Sequence, residues 1–196
     1  MKTHICLVRH GETEWNNERR IQGIINNKLN ENGKKQARML GNYLKSHDNN
    51  WDVIISSPLD RAYETAEIIK DELKFNDDII IDQNLIERNF GKAEGLKITE
   101  IFDKIVSDNV EGLEKSVDLQ NRVYDAILNI AKKYFGKKVL IVTHSHVIKG
   151  LTTKLDSKYS FWDKMQNSAL NYFVYDGENI LIEKINVNPH IKDMEI

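Results

Sequence analysis

The chain has 196 residues, 40% of them hydrophobic and 30% charged, which is ordinary globular composition at about one domain's length and enough to bury a large core. Its 28 Lys and Arg against 30 Asp and Glu leave a net charge of −2, so there is no global cationic surplus to hold nucleic acid or an anionic membrane, and any bound anion needs a local cluster. The single cysteine, Cys6, excludes an internal disulfide and a thiolate zinc site and fits a reducing compartment.

The opening MKTHICLVRH is interrupted by Arg9 and reads as neither a secretory signal nor a membrane span, and no run approaches the roughly 18 apolar residues a span requires; a soluble, cytoplasmic protein is expected. Residues 5–8 are apolar and rich in branched side chains and feed a polar stretch, 9–12, as a buried strand would. Ala37, Leu40, Tyr43 and Leu44 give residues 32–45 helical spacing, with Asn30 or Asn32 as cap. A second strand is expected over 53–55, ending in Ser56, Ser57 and Pro58. A helix follows over 59–73, with Ala62, Ala66, Ile69 and Leu73 on its apolar face and Pro58 suited to its first turn. Residues 84–118, with Gly91, Gly95 and Gly112, are the least regular and predict loops and a short helix covering a site. Val123, Ile127, Ile130 and Tyr134 predict a helix over 117–134, and residues 139–142 a third strand ending in Thr143 and His144. Residues 172–175 and 180–185, separated by Asp176 to Asn179, predict a hairpin at a sheet edge.

No repeat, low-complexity tract or Pro/Gly/Ser-rich linker interrupts the chain, so a single domain over 1–196 is the simplest organisation. Strands alternating with helices predict an α/β fold, three-layer α/β/α with a mainly parallel central sheet. Ligands of such sheets bind outside the carboxyl ends of the strands, which selects Arg9 with His10, residues 57–61 including Arg61, and His144. Two histidines and two arginines together suit a phosphoryl group: guanidinium forks match its oxygens, and imidazole can attack phosphorus or donate a hydrogen bond. The arginines would also disfavour protonation of His10, keeping it neutral and nucleophilic, and this chemistry requires no metal and no cofactor.

Several blocks, in order, then carry a resemblance: LVRHGETEWN at 7–16, Gln22 and Gly23, ENGKKQARMLG at 31–41, SSPLDRAYETA at 56–66, LIERNFGKAEG at 85–95, VLIVTHSHVIKG at 139–150 and the C-terminal NPHI. The chain resembles the histidine phosphatase superfamily, the phosphoglycerate mutase-like proteins, over nearly its whole length. The resemblance implies that His10 is a nucleophile forming a phosphohistidine, that Arg9, Arg61 and His144 hold equatorial phosphate oxygens, and that Glu87 is the proton donor. It also implies that Asn16, Gln22, Gly23 and Ser145 line the phosphate and substrate pocket. Where the second catalytic histidine is commonly followed by glycine, this chain has Ser145 and His146, which bears on substrate fit.

Simpler roles stand beside these: Asn16 as a cap, Gln22 as a loop residue, Trp15 and Trp162 as packing, Cys6 as an apolar filler. The H-x-H pair His144 and His146 is also a metal-ligand spacing, without an obvious set completing a shell. Mutases resembling this chain carry a basic Arg-Arg segment and a proline run beyond the glutamate block, whereas residues 96–117 hold only Lys97, Lys104 and Lys115 as cations and no proline. The expected activity is therefore metal-independent phosphomonoester hydrolysis of a small phosphorylated metabolite, with Lys92 and Lys97 available to a second anionic group. A cofactor-dependent mutase and a catalytically silent phosphate-binding module are the alternatives. Oligomeric state is left open, a dimer included.

Overall fold

In the computed structural model, which describes residues 1–190, strand β1 (Thr3–Arg9) is the residue 5–8 run extended at both ends. Two helices follow, α1 (Glu14–Asn17) and α2 (Glu31–His47), the second capped by Asn30, whose side-chain oxygen accepts from the Gly33 N–H at 2.8 Å. Then come β2 (Val53–Ser56), α3 (Asp60–Leu73), the two-residue strand β3 (Ile80–Ile81), and two 3₁₀ turns flanking Glu87 at Gln83–Leu85 and Gly91–Ala93. Helices α4 (Ile98–Val106) and α5 (Ser116–Lys133), strand β4 (Lys138–Thr143), helix α6 (Ser145–Leu155) and the hairpin β5 (Leu170–Tyr175) and β6 (Ile180–Val187) complete the chain. Ile191, the last residue of the NPHI string, lies outside the described residues.

The six strands form one sheet in the order β3, β2, β4, β1, β5, β6. The first four are mutually parallel, and β5 and β6 each run antiparallel to the preceding neighbour, so the expected hairpin does occupy an edge. Period-two alternation explains the layers. Ile5, Leu7, Val139, Ile141 and Phe173 face one core, completed by Leu119, Val123 and Ile127 of α5 and Val147, Ile148 and Leu151 of α6. Cys6, Val8, Ile54, Leu140 and Val142 face the other, completed by Leu40 and Leu44 of α2 and Ala62, Ala66 and Ile69 of α3. This is the three-layer α/β/α arrangement. Cys6 is sealed in the second core, and burial pushes its thiol up to about 12, so it is a packing residue without thiolate character. Among the described residues no helix is long and apolar enough to cross a membrane.

Three elements escape the sequence pattern: α1, the short β3, and α6, whose Val147, Ile148 and Leu151 follow directly on an apolar strand. Helix α3 starts at Asp60, so Pro58 lies ahead of it rather than in its first turn; Leu59, extended, is the cap residue and supplies no side-chain bond.

The loop after β1 lies against the start of α2 backbone to backbone. A Cβ on Gly33 would sit 2.1 Å from the Glu12 carbonyl oxygen, and one on Gly11 would sit 2.5 Å from the Gly33 carbonyl oxygen. Alanine ordinarily gains about 1 kcal/mol over glycine within a helix, but a backbone clash of this kind outweighs that gain. Gly33→Ala is expected to destabilise the protein by about 1–3 kcal/mol, read as a lower urea midpoint at unchanged slope.

Candidate active site

The parallel registers Arg9 with Thr143 and Ser56 with Val142 bring three strand ends to one edge of the sheet. Beyond the strands the pairing continues for one residue: the His10 N–H donates to the Thr143 carbonyl at 3.0 Å, and the Ser57 N–H to the Val142 carbonyl at 3.0 Å. Arg9, His10, Ser57 and His144, scattered along the sequence, thereby become neighbours, and Arg61 joins them from the first turn of α3.

His10 is fully enclosed, and its ring has a defined tautomer. Nδ1 lies 2.7 Å from the Gly11 carbonyl oxygen; since a carbonyl only accepts, Nδ1 carries the proton. Nε2 then holds a lone pair and accepts from Nε of Arg61 at 3.3 Å. Burial, reinforced by the charges of Arg61 and Arg9, holds the His10 pKa well below 6.5. The sequence predicts the direction from the arginines, but desolvation is the larger cause.

Arg61 is completely buried and donates from Nη1 to the Ile25 carbonyl at 2.8 Å and from Nη2 to the Gly23 carbonyl at 2.7 Å. Arg9 donates from Nη1 to the Met165 carbonyl, and its Nε is buried without a partner. Burial lowers both guanidinium groups to about 10, so both stay charged at neutral pH, and among the described residues neither is in a salt bridge. His144 lies beside His10, its ring centroid 5.2 Å from that of His10. Its Nε2 is 2.7 Å from Oγ of Ser57, while Nδ1 is buried and unpartnered.

Glu87 completes the group. Its Oε1 accepts from the Arg88 N–H at 2.9 Å and its Oε2 from the His146 N–H, in the first turn of α6, at 3.4 Å. Burial raises its pKa, with those two N–H groups and the charges of Arg61 and Arg9 opposing. The loop that carries it is held by two arginines that sequence reasoning missed. Arg122 donates from Nη1 to the carbonyls of Asn84 (2.6 Å) and Ile86 (3.0 Å), and its Nε and Nη2 grip the two Glu114 carboxylate oxygens at 2.8 and 2.9 Å. Arg88 donates to the Glu114 carbonyl at 2.9 Å and to Asp108 at 2.6 Å. Half of these bonds end on backbone carbonyls, and residue types alone do not reveal such partners.

These groups open onto a cavity of about 210 Å³. Arg9, His10, Arg61 and Glu87 form its inner end, with Asn16, Gln22, Gly23 and Ser145 on the same walls; His144 is the one expected residue that does not reach the wall. The cap of α1 is Thr13 rather than Asn16, which closes the reciprocal box from the first turn by accepting from the Thr13 N–H, and its Oδ1 also accepts from Asn167 at 3.3 Å. Oε1 of Gln22 accepts from Thr13 at 2.9 Å. Gly23 has φ 55°, and a methyl there would lie 1.9 Å from Oε1 of Glu94, so only glycine serves. The outer end is apolar, with Ile21, Phe90, Ile98, Ile105 and Trp162, and bears two cations that sequence reasoning passed over, Arg19 and Arg20.

His146 also borders the cavity, its ring edge-on to Phe90 at 4.9 Å and stacked on Phe161 at 5.8 Å, and burial holds its pKa well below 6.5. His144 and His146 therefore face different surroundings, and among the described residues no three His, Cys, Asp or Glu side chains form a group that could hold a metal.

The fold and this edge of the sheet define a phosphoglycerate mutase-like α/β protein. The chain belongs to the histidine phosphatase superfamily (branch 1), matched over residues 5–188. It is 35% identical over 191 residues to the "Uncharacterized phosphatase PhoE" of Bacillus subtilis, covering 96% of this chain and 97% of that protein. It is also 35% identical over 181 residues to the "Metal-independent phosphoserine phosphatase" of Arabidopsis thaliana, covering 86% of this chain and 75% of the relative. A phosphoserine phosphatase mutant from Entamoeba histolytica, solved in complex with phosphoserine, superposes with a TM-score of 0.84 at 25% identity, covering 96% and 99% of the two chains.

The hydrogen bonds of His10 set an expectation for solution. Long-range ¹⁵N–¹H spectra at about pH 5.5, where an ordinary histidine is mostly charged, should show His10 neutral with its proton on Nδ1. A doubly protonated ring at that pH would contradict the arrangement.

Proposed function

We propose that the chain is a metal-independent phosphomonoesterase that hydrolyses a small phosphorylated metabolite through a phosphohistidine on His10. The observation that carries this reading is the neutral, Nδ1–H tautomer of His10 beside two buried guanidinium groups in no salt bridge. Nε2 attacks phosphorus and the ester P–O bond breaks, while Glu87, kept protonated by burial, gives its proton to the departing alkoxide. Arg9 and Arg61 hold the equatorial oxygens. With the Ser57 hydroxyl donating to Nε2 of His144, the proton of that ring sits on Nδ1, a donor for a third oxygen. The Ser145 N–H at the start of α6 and the amides of Asn16 and Gln22 complete the cradle. Glu87, now a carboxylate, takes a proton from the water that attacks the phosphohistidine, releasing inorganic phosphate and restoring His10.

Water is the favoured acceptor because none of Lys97, Lys104 and Lys115 borders the cavity, so the segment in which similar mutases grip a substrate carboxylate makes no such grip here. Residues 84–118 would serve to cover the substrate, contributing Glu87, Phe90, Ile98 and Ile105 to the wall. A reducing cytoplasm suits a chain whose lone cysteine is buried filler. Phosphoserine is the first metabolite to try, since it figures in the names of two of the similar proteins.

His10→Ala should lower turnover of p-nitrophenyl phosphate by about 10³-fold or more, chelator should leave the wild-type rate intact, and acid-labile, alkali-stable phosphate should be trapped on His10 in mid-turnover. Loss of activity in chelator, or turnover with no phosphate on that ring, would overturn the reading.

Glu87 must enter the first step protonated, so with an alkyl phosphate the rate should fall as pH rises through its raised pKa. Glu87→Gln should cost about 10²–10⁴-fold in kcat/KM with the alkyl ester and much less in kcat/KM with p-nitrophenyl phosphate, whose leaving group needs no proton, while kcat falls for both because the hydrolysis of the phosphohistidine is shared. A wild-type rate still climbing at about pH 9 with the alkyl ester would remove Glu87 from this role.

A further inference from the structure

The geometry points to Arg19 as a specificity residue that grips a carboxylate on the substrate, making the preferred class a compact phosphomonoester of a hydroxy- or amino acid. This rests on the phosphatase reading only for placing the phosphate at His10.

Arg19 ends α1 in a turn that asks for a different residue. The Arg20 N–H returns to the Trp15 carbonyl at 2.8 Å and the Arg19 N–H to the Asn16 carbonyl at 3.1 Å, the paired bonds of a Schellman motif, with Arg19 in its left-handed position at φ 57°. Glycine takes that conformation without steric cost, and asparagine at little; arginine takes it at a penalty. The turn is also rigid, because the Arg19 carbonyl accepts from the Ile98 N–H at the start of α4 at 3.1 Å. Lys74 closes α3 in the same left-handed turn at φ 54°, so the turn fixes the backbone of Arg19 without accounting for its identity, and what sets Arg19 apart is its place on the cavity wall.

The charge is unspent as well. Arg20, its neighbour, is committed: it is paired with Glu18 and donates to the Gly95 carbonyl at 2.9 Å. Arg19 has no salt-bridge or side-chain hydrogen-bond partner among the described residues, and it borders the same cavity as His10. The other cations the sequence offered for a second anion do not reach it. Lys92 is 72% exposed and bound to Glu111 at 2.6 Å, and Lys97 is absent from the cavity wall. The cavity that Arg19 shares with the inner guanidinium groups is also lined by Ile21, Ile98 and Ile105, which suits a short carbon stem bearing an anion at each end. A planar guanidinium fork matches a carboxylate with two parallel bonds.

The test compares 3-phosphoglycerate with glycerol 3-phosphate, which differ in a carboxylate against a hydroxymethyl group, in the wild type, Arg19→Gly and Arg19→Lys. In Arg19→Gly the ratio of kcat/KM for the two esters should fall by about 10- to 100-fold, the range for losing a charge-assisted hydrogen-bonded pair, and Arg19→Lys should recover part of it. Arg19→Gly should melt no lower than the wild type because glycine suits the turn, and Arg19→Asn serves as a second variant if it does not. An unchanged ratio, or an equal fall for both esters, overturns the proposal. If the wild type hydrolyses neither these esters nor p-nitrophenyl phosphate, the phosphatase reading fails. The Kd ratio of the two esters, measured by calorimetry on the same proteins, then decides for or against Arg19 on the same criterion.

Discussion

Two guanidinium groups, Arg9 and Arg61, are taken out of water at the end of a parallel sheet with no carboxylate in a salt bridge to either, and the rest of the site follows from that. An unpaired buried charge costs several kcal/mol; Arg61 is fully buried and Arg9 half-buried, and the compensation is partial, because the carbonyls of Met165, Ile25 and Gly23 accept one bond each while the net charge remains. Such a cup has a standing preference for an anion. It also disfavours a third cation, which adds to the burial that holds the imidazole between them neutral, with its lone pair on Nε2. A phosphate dianion would satisfy the charge and the unpartnered nitrogens of Arg9 and His144 together.

The same surroundings move two titrating groups apart. Burial and neighbouring positive charge both act to deprotonate His10, whereas for Glu87 burial favours the acid form and the arginines oppose it less strongly. An imidazole pushed toward its neutral form and a carboxyl group pushed toward its acid form, facing one cavity, are shifts in the directions that nucleophilic attack with leaving-group protonation requires. Glu87 holds its place because Arg122 clamps the backbone on one side of it and Arg88 ties the other side to the 108–114 turn. The irregular stretch 84–118 is thus a scaffold for one carboxyl group as much as a wall.

Away from the phosphate end the cavity changes character. Half-buried His146 meets Phe90 edge-on and stacks on Phe161, and Ile21, Ile98 and Ile105 add to the apolar lining of the cavity that Arg19 also borders. Ser145 and His146, the departure from the usual glycine, fall into different places: Ser145 stays on the inner wall at the start of α6, and His146 turns its ring into the aromatic stack while its N–H supports Glu87. Both departures border the cavity and so bear on the shape of what fits it.

The amino-acid sequence by itself determined the layers and the class. Branched apolar runs at 5–8, 53–55 and 139–142, and helical spacing at 32–45, 59–73 and 117–134, are local patterns, and a buried strand or an amphipathic helix announces itself through local periodicity. It also singled out Arg9, His10, Arg61, Glu87 and His144, because their neighbouring residues form contiguous blocks. What only the tertiary structure decided depends on pairs distant along the chain: the register that sets Arg9 beside Thr143, the tautomer fixed by Gly11 and Arg61, and His144 standing behind the wall rather than on it. The grip of Arg122 on the Glu87 loop and the left-handed turn that aims Arg19 belong to the same group. Their partners are backbone carbonyls and shared space, which carry no residue-type signature and come into existence only once the strands are paired.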